Sequence, residues 1–112
     1  MWNAPDDLQL REIPKLYSNE HLPLKDHIVH LHLFIGSCDW YITEFDGVDI
    51  FFGYAILHGD YHNAEWGYMS FEEMKAINIH GLEIDCDLYW KKRPAGQVDK
   101  ILKGCGWMME NS

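Results

Sequence analysis

Residues 40–54, WYITEFDGVDIFFGY, constrain the fold of this chain more than any other stretch. Asp-Gly between two runs rich in aromatic and β-branched residues is the strongest short-range signal for a β-hairpin, because both central turn positions need positive φ. A two-residue turn at Asp46-Gly47 sets the register: Phe45 faces Val48, Glu44 faces Asp49, Ile42 faces Phe51 and Trp40 faces Gly53. Alternation then puts Trp40, Ile42, Glu44, Asp49 and Phe51 on one face and Tyr41, Thr43, Phe45, Val48, Ile50, Phe52 and Tyr54 on the other. A large ring opposite a glycine is a sound pair. Glu44 opposite Asp49 is not, since like charges across a ladder repel. Such broken local rules gather at functional sites, although water at an exposed hairpin tip is their ordinary remedy.

Strand and turn signals continue along the chain. Asp6 or Asp7 caps a short helical turn through Leu8, Leu10 and Ile13 that Pro14 stops, and residues 15–24 read as loop. Residues 26–35 read as a strand, turning at Gly36-Ser37 into 39–45, with further strands at 48–57 and 64–69. Ser70 and Glu73 form a capping-box pattern opening a helix over 71–77. Residues 82–89, LEIDCDLY, alternate strictly, which predicts a half-exposed strand with Leu82, Ile84, Cys86 and Leu88 inward and Glu83, Asp85, Asp87 and Tyr89 outward. A basic turn at 91–96 leads to a short helix over 98–103, stopped by Gly104, and the tail from Cys105 to Ser112 is loosely held. The expected fold is α+β: a mostly antiparallel four- to five-stranded sheet with two or three short helices, one domain over 1–112 with its core in about 10–104. The middle strands are apolar on both faces, so helices and the N-terminal segment, or a partner, must cover the second face.

Composition removes several function classes. The 112 residues are 47% apolar and 14% aromatic, enough for one core despite a formal charge of −9. No apolar run approaches the roughly 20 residues of a membrane helix. The first ten residues lack the basic and apolar parts of a signal peptide, so a cytoplasmic protein away from membranes is expected. Eighteen acids against nine Lys and Arg argue against direct contact with nucleic acid. They suit instead a partner protein with a basic, nucleic-acid-binding surface, although solubility is the commoner use of excess acid. Three cysteines without a CxxC spacing read as free thiols.

Three constellations are candidates for function. Glu83, Asp85 and Asp87 form a row on one strand face, and Glu44, Asp46 and Asp49 form a second acidic cluster; both are candidate partner-binding faces, and both are also what a solvated strand face looks like. Trp40, Tyr68, Tyr89 and Trp90 are candidates for an aromatic groove, against the simpler use of aromatics as core. His30 and His32 point to one face of their strand, and with His58 and His62 they are the candidate metal ligands. No HExxH motif, phosphate loop or nucleophile elbow is present, and no cofactor is implied.

Several short pieces also carry a family resemblance: Ile13-Pro14, Leu16-Tyr17, Glu20, Asp26, Trp40-Tyr41, Glu44, Asp46, Asp49, Phe51-Phe52-Gly53, Glu65-Trp66-Gly67-Tyr68, Ser70, Glu73, Glu83 and Asp87-Leu88-Tyr89-Trp90. In this order and spacing, over roughly residues 10–95, the chain resembles domain-of-unknown-function family 2958, small proteins common on plasmids, integrative elements and phages. Cys86 departs from the pattern, where a basic residue is expected before Asp87. The resemblance implies a bacterial or phage setting and no known catalytic residues. The leading expectation is a non-enzymatic accessory protein of a mobile element that binds a protein partner, in one version an acidic anti-defence inhibitor. Two alternatives stand beside it: a small metal-dependent hydrolase using the histidines with Glu44, Asp49 or Asp60, and a homodimeric structural module.

Overall fold

A computed structural model describes residues 1–107. In chain order these form α1 (Asp7–Arg11), β1 (Ile28–Val29), β2 (Leu31–Ile35), β3 (Cys38–Phe45), β4 (Ile50–Ile56), β5 (Glu65–Ser70), α2 (Phe71–Lys75), β6 (Asn78–Ile79), β7 (Leu82–Glu83), β8 (Asp85–Cys86), β9 (Arg93–Pro94) and α3 (Asp99–Cys105). The main sheet has five strands in the order β5-β4-β3-β2-β8, all neighbours antiparallel. The fold is therefore α+β, as expected from the sequence. No helix among the described residues is long and apolar enough to cross a membrane.

The hairpin forms where the sequence places it, but its register differs. Asp46 Oδ1 accepts the N–H groups of Val48, Asp49 and Ile50 at 2.7–2.9 Å, and the Asp46 N–H donates to the Ile50 carbonyl at 2.9 Å. These bonds close a wider loop over 46–49 and hold the Asp46 carboxyl below its ordinary range. Phe45 then faces Phe51 and Glu44 faces Phe52, not Val48 and Asp49. The register shifts at Thr43, so Ile42, not Trp40, lies opposite Gly53. A one-residue bulge turns every following side chain over. Phe45 thereby joins Ile42 and Phe51 in one core, and Glu44 leaves that face.

Both sheet faces are covered by the chain itself. One carries Leu33, Ile42, Phe45 and Phe51 against Phe71 and Met74 of α2, with Ile13 and Ile84. The other carries Tyr41, Tyr54 and Ile56 against Ala95, Val98 and Ile101 at α3. Each large buried side chain contributes about 1.5–3 kcal/mol through its removal from water. Asp6 and Gln9 form a reciprocal capping box on α1. At α2 Ser70 accepts the Glu73 N–H, while Asp49 rather than the Glu73 carboxylate supplies the second cap, accepting from the Ser70 hydroxyl and the Glu72 N–H, each at 2.7 Å.

Four further expectations need correction. The strand over 26–35 is broken at His30, whose N–H donates to Ile42, and β1 pairs with β9 inside the stretch read as a basic turn. The strand over 82–89 is two short pieces. Ile84 and Cys86 are buried, but Leu82 belongs to a small exposed hairpin with β6, and Leu88 is exposed beyond a turn at Asp87. Pairing with β2 and Trp2 ends there, so alternation stops predicting burial. The last helix runs past Gly104 to Cys105 and is stopped by Gly106 in the left-handed region. Gly104 instead lies under the Tyr54 hydroxyl, which leaves no room for a Cβ. Of the tail expected to be loose, residues 108–112 lie outside the described residues.

Candidate functional site

One buried side chain holds the irregular segment after α1 over the α3-covered face of the sheet. Glu44, 4% exposed, accepts the Tyr17 N–H on Oε1 at 3.0 Å and the Asn19 N–H on Oε2 at 3.2 Å. Tyr17 has φ 67°, a left-handed conformation uncommon for a bulky residue and fixed here by the Glu44 bond. Between segment and sheet lies a cleft of about 450 Å³ lined by Tyr17, Glu20, Leu22, Leu24, His27, Glu44, Phe52 and Tyr68. The Tyr17 and Tyr68 rings are 6.3 Å apart and those of Phe52 and Tyr68 are 5.1 Å apart. Both tyrosines are more than half exposed.

The cleft is electrostatically one-sided. Among the described residues its charged lining is Glu20 and Glu44, no Lys or Arg lines it, and no cation forms an ion pair with Glu44. The neighbouring Tyr17 phenol holds the Tyr68 phenol above its ordinary value, and the charges of Glu44 and Glu20 push the same way. The His27 Nε2 bonds to the Leu22 carbonyl at 3.2 Å and so donates; in the neutral ring Nδ1 is then an acceptor, and it has no partner. A second hollow, about 560 Å³ beside α1 and α2, mixes Asp7 and Glu72 with Arg11 and Lys75 and favours neither sign of charge.

The six candidate acids do not share one face. Asp46 closes its own turn and Asp49 caps α2. Glu83 accepts from the Met1 amino group at 2.5 Å, Asp85 from Asn3 at 2.9 Å, and Asp87 bonds His32 at 3.0 Å. Of the aromatic candidates, Tyr68 lines the cleft. Trp40 packs under the α2 core, and Trp90 donates to the Val29 carbonyl at 2.9 Å beneath Arg93. Tyr89 stands beside a small hollow at Asp87 and Leu88.

His32 is clamped between carboxylates, Nε2 on Asp39 at 2.7 Å and Nδ1 on Asp87 at 3.0 Å, with its ring stacked on Tyr41. Carboxylates only accept, so both bonds form only when both ring nitrogens carry hydrogen. The His58 Nδ1 lies 3.9 Å from the Cys38 sulfur, and His62 is exposed in the loop that Asp60 ties. Among the described residues, no group of three or more His, Cys, Asp or Glu is placed to hold a metal ion.

Burial, reinforced by Lys92 and opposed by Glu12, holds His30 below its ordinary value of 6.5. The unfolded chain then takes up this proton first as pH falls. Stability from neutral His30 is complete above pH 6.5 and is lost as pH drops through the lowered folded value. Urea unfolding at pH 7.5 and pH 5 is expected to show a smaller acid loss in His30→Gln than in the parent; equal losses would place the effect elsewhere.

The family described as protein of unknown function (DUF2958) matches residues 9–96. The chain belongs to this family. No curated protein and no solved structure matches it. Tyr17, Glu20, Glu44, Phe52 and Tyr68, all among the pieces that carry the family pattern, meet in the cleft. Tyr17 and Glu20 are not legible as site residues because segment 15–24 carries no periodicity, and His27 and Phe52 are not because their own strand pattern does not show which segment lies over them. The available signal was Glu44, a charge inside an otherwise buried strand.

Proposed function

We propose that the protein is a non-enzymatic, cytoplasmic accessory protein of a mobile element or phage that binds a protein partner, and that the partner places a cationic side chain in the cleft of Glu44, Glu20, Tyr17 and Tyr68. Glu44 carries this reading: its carboxylate is withdrawn from water with two backbone N–H donors and no counter-cation among the described residues. A buried charge is costly unless paired. A Lys or Arg from a partner supplies the missing charge while its stem and head lie against the tyrosine rings. Lys and Arg are also the residues that line nucleic-acid-binding grooves, which fits an anti-defence role of blocking such a groove.

The test is an NMR titration of the full chain with Nα-acetyl-lysine amide and with its uncharged counterpart, Nα-acetyl-norleucine amide. The lysine compound alone is expected to give saturable shifts at Tyr17, Phe52 and Tyr68, weakened by salt. Loss of one ring in Tyr68→Ala is expected to weaken it about fivefold. Equal responses to the two amides, or none, would overturn the reading.

A further inference from the structure

We infer that the partner arrives as an extended segment that pairs with the open edge of β5 and sets its cationic side chain beside Tyr68; this rests on the cation-binding reading of the cleft. The two edges of the sheet differ. Residue Trp2 closes the β8 edge, its N–H donating to Ile84 at 2.8 Å and its carbonyl accepting from Cys86 at 3.0 Å. Strand β5 pairs with β4 alone, and no strand covers its other edge among the described residues.

Hydrogen-bond parity says which groups that edge presents. The Phe71 N–H donates to the Asp49 carbonyl at 2.8 Å, extending the β4–β5 ladder by one pair. Bonded and non-bonded pairs alternate in an antiparallel ladder. Met69, Gly67 and Glu65 therefore address β4, while Ser70, Tyr68 and Trp66 turn their N–H and C=O groups outward. The Ile50 carbonyl agrees, since it accepts from Asp46 on the β3 side. Ser70 caps α2, which leaves Tyr68 and Trp66 as the docking pair.

This edge borders the cleft. Glu44, Phe52 and Tyr68 are successive cross-strand partners in one row on one face. The next position in that row belongs to whatever strand pairs with β5. A residue bonded to Tyr68 there would have its Cα about 5.5 Å away and its side chain on the cleft face. A second copy of this chain would bring a further charge of −9 to an edge that carries Glu65 and a cleft that carries Glu20 and Glu44. A basic segment complements them, and strand addition to a free edge is an established mode of peptide capture.

The test follows amide hydrogen exchange in the full chain, free and with an acetylated pentapeptide amide of threonine and valine around a central lysine. The control is the same peptide N-methylated on its pairing edge. In the free protein the Trp66 and Tyr68 amides are expected to exchange faster than those of Gly67 and Met69. The parent peptide should slow them at least about tenfold, and the N-methylated one should not. Protection of Trp66 and Tyr68 already in the free protein, by its own chain or a second copy, would overturn the inference. If the N-methylated peptide shifts the cleft as strongly as the parent and neither peptide slows these amides, edge pairing falls while the cation reading stands. If the lysine amide shifts nothing but the parent peptide still protects both amides, edge pairing holds and the cation reading falls.

Discussion

Gly53→Ala is expected to destabilise the protein by roughly 4 kcal/mol or more, a large part of the roughly 5–15 kcal/mol that holds an ordinary domain together. An added Cβ would lie 2.1 Å from the Tyr41 carbonyl oxygen, 2.9 Å from its carbon and 3.1 Å from the Ile42 Cα. All three are backbone atoms of the central strand β3, so no rotamer change makes room. The bulge at Thr43 brings the chains this close. Gly67, directly across β5 from Gly53, is the internal control. A Cβ there meets nothing within 4 Å, and Gly67→Ala is expected to change stability by no more than about 0.5 kcal/mol. Urea unfolding followed by tryptophan fluorescence measures both, and equal effects would contradict the close approach.

Asp39→Ala is expected to cost about 3 kcal/mol and to lower Tm by on the order of 12 °C. The carboxylate is buried and accepts from His32 at 2.7 Å and from Lys100 at 2.9 Å, tying β2, β3 and α3 together. Burial raises its pKa, but the hydrogen bonds and charges of His32 and Lys100 lower it more, and the balance lies below the ordinary 3.8. Its stabilisation is therefore full above pH 3.8 and is lost as pH falls through the lowered value. Removing it leaves the half-buried His32 without an Nε2 acceptor, while Lys100 can turn to water. A double-mutant cycle with His32→Phe is expected to give a coupling above about 1 kcal/mol. Additive effects would mean that Asp39 acts through packing alone.

The central strands, the place of the turn at Asp46-Gly47 and the caps at Asp6 and Ser70 were legible because each depends on a few neighbouring residues: period-two alternation, a glycine at positive φ, an oxygen beside free N–H groups. The two-residue form of the turn was not, since Asp46 does not take positive φ and its carboxylate closes a wider loop instead. Reading 82–89 as one strand failed because alternation predicts burial only while the strand remains covered, and cover ends at Asp87. Glu44 was singled out for the wrong reason. The supposed repulsion from Asp49 does not occur, since the two acids serve different elements.

By itself the sequence determined the central strands β2 to β5, the places of the turns between them and the excess of negative charge, because backbone preference and formal charge are local properties. Only the tertiary structure decided where that charge is used. One extra residue at Thr43 turned Glu44 onto the face of Phe52, and two backbone N–H groups from a segment 25–27 residues away drew the chain over it. A bulge inverts every side chain beyond it, and contacts at such separation depend on the packing of the whole sheet.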